Sequence, residues 1–177
     1  DIAAQPLAGR RKPLFIADMD STMIGQECID ELADFAGVKA RVAGITERAM
    51  RGELDFAAAL RERVGLLAGL PETVIDEVIG RRITLTPGGR ALVGTMRANG
   101  ARTILVSGGF TAFTDRVARL IGFDESRGNM LEIAAGKLTG KVAEPILGRE
   151  AKLAALEEAL ARLHLTADQA LAIGDGA

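Results

Sequence analysis

Three short apolar runs, PLFIAD, ARTILVSGG and ALAIGDG, each end in a polar or glycine-rich turn. Runs of this length, rich in Ile, Leu and Val, suit strands buried on both faces of a parallel sheet. Between them the pattern changes to a helical period. GGRALVGTMRANG stops at Asn99-Gly100, TAFTDRVARLIGF spaces Phe113, Val117, Leu120 and Ile121 along one side, and GREAKLAALEEALARL is a long amphipathic stretch. Strands alternating with helices predict an α/β fold with a doubly wound parallel (Rossmann-like) sheet. MLEIAAGKLTGKV departs from this: two short alternating runs around Ala135-Gly136 predict a small β-hairpin flap.

Some 65 residues separate the first two strand candidates, too many for one crossover. QECIDELADFAG, TERAMRGEL and DFAAALRERVGLLAGL read as helices, and the stretch closes with a turn at Pro87-Gly88-Gly89. The expectation is a helical cap over residues 22–86, inserted after the first strand of an α/β core made of residues 13–21 and 87–177. Residues 1–12 read as a linker.

Composition narrows the chemistry. A net charge of -2 gives no bulk attraction to nucleic acid or an anionic membrane. Aromatics are 3% of the chain, with no Trp or Tyr, so base-stacking platforms are not expected. Cys28 is the only cysteine, which excludes an intrachain disulfide and a thiolate metal cluster and suits a cytoplasmic, reducing setting. No apolar run approaches the ~20 residues that span a bilayer. A small-molecule substrate is the expected partner.

In open parallel sheets, ligands sit beyond the carboxyl ends of the strands. There the pattern puts Asp18 and Asp20, then Ser107-Gly108-Gly109, then Asp175. Three carboxylates meeting in one crevice repel one another, and a hard divalent cation removes the conflict; all-oxygen ligands favour magnesium over zinc. VSGGF offers free N–H groups to an anion at a helix start, or is simply a tight turn. Lys152 sits in the first turn of a helix, poorly placed for a cation unless it has an anion nearby or is merely solvated. Phe56, Leu60, Arg63 and Leu67 share one helical stripe to within about 40°. A guanidinium there needs a carboxylate or phosphate partner, either a ligand or a neighbouring acid such as Glu53. By spacing alone, Glu27 is a solvated acid beside Asp30, Glu31 and Asp34. His164 ends a helix and gives no support to a Ser-His-Asp triad, and no G-x-x-x-x-G-K-[ST] occurs.

Taken in order, DMDST, VSGGF, Lys152 and GDGA resemble the four motifs of the haloacid dehalogenase-like (HAD) phosphatases. DMDSTMIGQECIDELA, ITERAMRGELDFAAALRERVGLL, LTPG and GKLTGKV further resemble the branch of that family that acts on O-phospho-L-serine, the last step of serine biosynthesis. The resemblance runs from about Lys12 onward. It implies that Asp18 is the nucleophile, forming an aspartyl-phosphate, and that Asp20 is the acid and then the base. It implies Mg2+ held by Asp18, Asp175 and the Asp20 backbone carbonyl. Ser107, Gly108 and Lys152 would bind the phosphoryl oxygens, Glu27 the substrate ammonium and Arg63 its carboxylate, with Met50 and Phe56 as the apolar wall. A homodimer is a candidate assembly.

The family pattern continues after GDGA with Asn, another Asp, a strand and a helix, whereas this chain ends at Ala177. The expectation is that this polypeptide is weakly active or inactive, with an unpaired edge beside the Leu171 strand. Three rivals remain at this stage: a phosphate-accepting signalling module, a phosphotransferase to a hydroxyl acceptor such as homoserine, and a phosphatase for another small phosphomonoester. The signalling module lacks a reason for the long insertion.

Overall fold

The computed structural model describes residues 4, 7 and 9–175. Among them, β1 (Leu14–Ala17) lies between β2 (Arg102–Phe110) and β6 (Ala170–Ile173), β3 (Glu125–Asn129) pairs with the far side of β2, and all neighbours run parallel. Side chains of β1 alternate between two cores, as a pleated strand requires. Phe15 and Ala17 join the larger core with Leu105 of β2; Leu14 and Ile16 join the smaller one with Ile104 and Val106. Helix α5 (Gly89–Ala98) and helix α6 (Thr111–Ile121) supply Val93, Phe113 and Val117 to the first core. Helix α7 (Arg149–Leu163) supplies Ala155 and Ala159 to the second. Helices therefore cover both faces, which is the doubly wound arrangement.

Two strands depart from the hydrophobic pattern, both for reasons of position in the sheet. β3, with sequence ESRGN, has no apolar run because it is an edge strand. β6 was expected to be buried on both faces, but its residues are half-buried or exposed because it forms the opposite edge of the described sheet.

The stretch between β1 and α5 is helical: α1 (Cys28–Phe35), α2 (Lys39–Met50), α3 (Phe56–Gly65) and α4 (Thr73–Arg81). Asp55 caps α3, its carboxylate accepting from the Ala58 N–H at 2.6 Å. α4 was not expected, because only Ile75 and Val78 of its nine residues are fully buried. The chain passes twice between sheet and insert, and the two passages are tied together. Gly25 N donates to Thr84 O at 3.0 Å and Thr86 N to Met23 O at 3.0 Å. The flap is an antiparallel hairpin of β4 (Leu131–Ala134) and β5 (Lys137–Val142), turning at Ala135 and Gly136, whose φ values are 49° and 72°. It is fastened to the insert where Gly69 N donates to Leu138 O and Leu138 N to Leu70 O, each at 2.9 Å. Among the described residues, no helix is long and apolar enough to cross a membrane.

Candidate active site

A cleft of about 950 Å³ opens beyond the carboxyl ends of β1, β2 and β6. Asp18, Asp20, Ser107, Gly108, Lys152 and Asp175 line it from the sheet side, and Glu27, Phe56 and Arg63 from the insert. Nine of the ten residues singled out from the sequence thus meet in one place.

The aspartates are positioned by the way β1 ends. The Asp18 N–H donates to Ile173 O at 3.0 Å, so the pairing of β1 with β6 runs up to the acid itself. That brings Asp18 beside Gly174, where an added Cβ would lie 3.7 Å from the Asp18 Cβ. Met19 is fully buried, and alternation along an extended chain turns Asp18 and Asp20 to the same side of it. The chain then coils tightly: Ser21 has φ 50°, and the N–H groups of Met23 and Ile24 both donate to Met19 O.

Each carboxyl has its own environment. Asp18 pairs with the Lys152 ammonium through Oδ2, while its Oδ1 accepts from the Met19 N–H at 2.8 Å. Lys152, poorly placed for the dipole of α7, therefore has an anion opposite it. Asp20 is half-buried, and its Oδ1 accepts from the Cys28 N–H at 3.2 Å. Burial, with smaller contributions from the nearby charges of Glu27 and Asp18, raises its pKa to about 7 despite hydrogen bonds from Cys28. Burial also raises Glu27; the Ser21 hydroxyl, donating to Glu27 Oε1 at 2.6 Å, counteracts this in part. Burial pushes the Cys28 thiol well above its ordinary value. Cys28 is thus an inert packing residue, not a thiolate.

Ser107 is buried near the carboxyl end of β2, and its Oγ accepts from the Gly109 N–H at 2.9 Å. The strand was expected to end at Ser107, but it extends to Phe110 through an irregular register opposite β3. Gly109 has a steric reason to be glycine: a Cβ there would lie 2.7 Å from Asp20 Oδ2.

On the insert side, Arg63 is half-buried and donates to Ala59 O at 3.2 Å and Thr46 Oγ1 at 3.4 Å. Among the described residues it forms no ion pair; Glu53 pairs instead with Arg48 and Arg51. Burial lowers its pKa, against the more distant charges of Asp30 and Glu27. Phe56 lays its ring on the floor, where Cβ atoms at Gly108 and Gly148 would come within 2.9 and 3.0 Å of it.

One expectation needs correction. Met50 was placed beside Phe56 in the apolar wall, but it is 84% exposed and does not line the cleft. Around α2 it lies about 80° from buried Val42 and about 140° from buried Ile45, off the packed stripe. The three aspartates share the cleft; among the described residues no group of three or more His, Cys, Asp or Glu side chains is placed to hold a metal, and the expected set of two carboxylates and one backbone carbonyl does not call for one. The Asp20 carboxyl is turned to Cys28, while Asp18 and Asp175 line the cleft. Gly148, Glu150 and Leu153 also line the cleft. Nothing in the sequence pattern separated them from neighbours on α7.

A parallel sheet with acids beyond its strand ends, a lysine paired to the first of them and a helical insert above defines a class. The chain belongs to the haloacid dehalogenase-like hydrolase family, whose model matches residues 15–177. Among curated relatives it is 44% identical to the phosphoserine phosphatase of Archaeoglobus fulgidus over 179 residues, covering 100% of this chain and 52% of that protein. It is 45% identical to the phosphoserine phosphatase of Albidiferax ferrireducens, covering 98% of this chain and 76% of that one. A solved phospho-aspartyl intermediate analogue of phosphoserine phosphatase superposes with a TM-score of 0.85 at 36% identity, covering 94% of this chain and 79% of the other. The chain thus spans about half of some curated relatives and three quarters of others.

Proposed function

We propose that the protein is a magnesium-dependent phosphomonoesterase that releases phosphate from O-phospho-L-serine. The observation that carries this reading is the half-buried Arg63, without an ion pair among the described residues, facing the same cleft as the Asp18–Lys152 pair. One wall is suited to a phosphoryl group and the other to an amino acid. Its curated relatives bear the same activity in their names.

Enzymes of this family generally use a divalent metal. The donors present fit one: five acidic residues line the cleft against two cationic ones, and every carboxylate donor is a hard oxygen. Asp18, Asp175 and the Asp20 backbone carbonyl would hold magnesium, which when bound neutralises charge on the phosphoryl oxygens.

In the mechanism we propose, the Asp18 carboxylate attacks phosphorus in line with the serine oxygen and becomes an aspartyl-phosphate. Asp20 gives its proton to the departing serine oxygen, then takes one from the water that attacks phosphorus and frees phosphate. A pKa near 7 suits a group with both duties. Lys152 pairs with the Asp18 carboxylate before substrate arrives and meets a phosphoryl oxygen afterwards. Ser107 Oγ is already accepting from Gly109 and has its proton to donate to another. Glu27 takes the ammonium and Arg63 the carboxylate. The free buried thiol supports a cytoplasmic setting.

The test is phosphate release by the full-length protein from O-phosphoserine, O-phosphothreonine and a simple sugar phosphate, with and without magnesium. Phosphoserine should be preferred and magnesium required. Equal rates on all three would remove the amino acid from the reading, and transfer to an added hydroxyl acceptor would favour a phosphotransferase.

A further inference from the structure

Asn129, the last residue of β3, is 2% exposed and lies outside the cleft lining. Its carboxamide makes three hydrogen bonds across chain separations of 18 and 21 residues. Nδ2 donates to Gly108 O at 2.8 Å and to Leu147 O at 3.0 Å, and Oδ1 accepts from the Leu147 N–H at 2.7 Å. One buried side chain therefore grips both the Ser107-Gly108-Gly109 end of β2 and the segment that leads into α7.

Each grip has a consequence for the cleft. A peptide unit is planar and trans, so its C=O and the following N–H point in opposite directions. Holding Gly108 O towards Asn129 turns the Gly109 N–H the other way, and there it meets Ser107 Oγ at 2.9 Å. The Ser107 hydroxyl, having accepted that bond, can rotate its proton only towards its remaining neighbours, and the cleft is one of them. At the other end, Leu147 is held by both its N–H and its C=O, which fixes the backbone just before Gly148, the residue that caps α7. Lys152 lies in the first turn of that helix, paired with Asp18. The Phe56 ring rests on the same two segments from the cleft side, against Gly108 and Gly148.

We propose that Asn129 is a positioning residue that sets the spacing between Ser107 and Lys152, and so the fit of the site to a phosphoryl group. This rests on the phosphoryl-binding reading of those two residues. Only a carboxamide does the work: two donors face two carbonyl oxygens while one acceptor faces an N–H. Aspartate keeps the acceptor and turns an oxygen towards the carbonyls; leucine, of similar volume, loses all three bonds.

The test compares wild type, Asn129→Asp and Asn129→Leu in the full-length protein. The readouts are the melting temperature, kcat and KM for phosphoserine, and the Kd of inorganic phosphate and of L-serine by calorimetry. In each variant that folds, kcat should fall roughly 100-fold, as expected for an ångström-scale misplacement. Phosphate binding should weaken about 10-fold, while L-serine, read by Glu27 and Arg63, should change by less than about threefold. Unchanged kcat and phosphate affinity in a folded Asn129→Asp, or parallel loss of phosphate and serine binding, would overturn the proposal. A wild-type protein that binds neither phosphate nor phosphoserine would overturn the site reading itself, and is thereby distinct from failure of the brace alone.

Discussion

The sheet wall and the insert wall of the cleft hold their side chains by different means. On the sheet wall Asp18, Asp20 and Asp175 follow strands whose register is fixed by their neighbours, and Asp18 is both hydrogen-bonded through its backbone to Ile173 and paired through its side chain with Lys152. On the insert wall Glu27 precedes α1 and Arg63 belongs to α3, two helices that each pack against α2, and among the described residues Arg63 has two neutral acceptors. A satisfied wall is preorganised for chemistry, whose gain comes from groups that need not move in the transition state. An unsatisfied cation is instead reserved for a ligand, since leaving it half-buried and unpaired costs free energy that a carboxylate returns. The comparison teaches that rate should be lost on one wall and substrate choice on the other.

Five substitutions in four experiments sharpen that division, in falling order of effect on kcat/KM. Asp18→Asn should lower kcat by roughly 10³-fold or more in a phosphate-release assay, because it removes the nucleophile; a loss under tenfold would contradict the assignment. Arg63→Ala should leave kcat nearly intact and raise KM for phosphoserine about 10- to 100-fold, the loss of about 1.5–3 kcal/mol of charge-assisted hydrogen bonding. With phosphoethanolamine, which has the ammonium but no carboxylate, KM should hardly move. An equal rise for both substrates would take the carboxylate role from Arg63.

The contact between the walls comes next. In Gly148→Ala the new Cβ would sit 3.0 Å from Phe56 Cδ1, displacing the ring and raising KM a few-fold. Adding Phe56→Leu should recover part of the loss, with a coupling of about 1 kcal/mol in the double-mutant cycle. Additive effects would mean that the ring and the glycine do not press on each other.

The smallest effect on kcat/KM belongs to Asp124, which does not line the cleft. Burial alone would raise its pKa, but hydrogen bonds from the Thr103 N–H at 2.8 Å and Thr103 Oγ1 at 2.9 Å, with Arg97 beside it, outweigh burial and hold it low. A depressed carboxylate contributes stability that is present above its unfolded pKa, ~3.9, and is lost as pH falls through the folded value. Asp124→Ala should therefore destabilise the fold by about 1–2 kcal/mol at pH 7 and flatten the acid limb of the melting curve, with kcat unchanged.

The same contrast explains what the sequence revealed. Asp18, Asp20, Ser107 and Asp175 were legible because buried strands announce where they end, and polar residues placed there have few other duties. Arg63 was legible because a charge interrupts an apolar stripe on α3, and the suggested internal partner, Glu53, is occupied by Arg48 and Arg51. Glu27 was hidden among three neighbouring acids and was reached through the family resemblance alone. Met50 shows the limit of such transfer: proximity in the chain to a cleft residue does not set rotation about a helix. β3 and α4 escaped notice because an edge strand and a two-turn helix need little apolar surface. Asn129 was invisible for a different reason, since its three hydrogen bonds cross the fold and leave no local pattern.

The most direct test of the whole account is to trap the phosphoryl group on the protein. Full-length protein mixed with phosphoserine and magnesium, quenched in milliseconds and reduced with borohydride, should yield a peptide in which residue 18 has become homoserine, the product of reducing an aspartyl-phosphate. Steady turnover with residue 18 unmodified, or with phosphate found instead on Ser107, would contradict it.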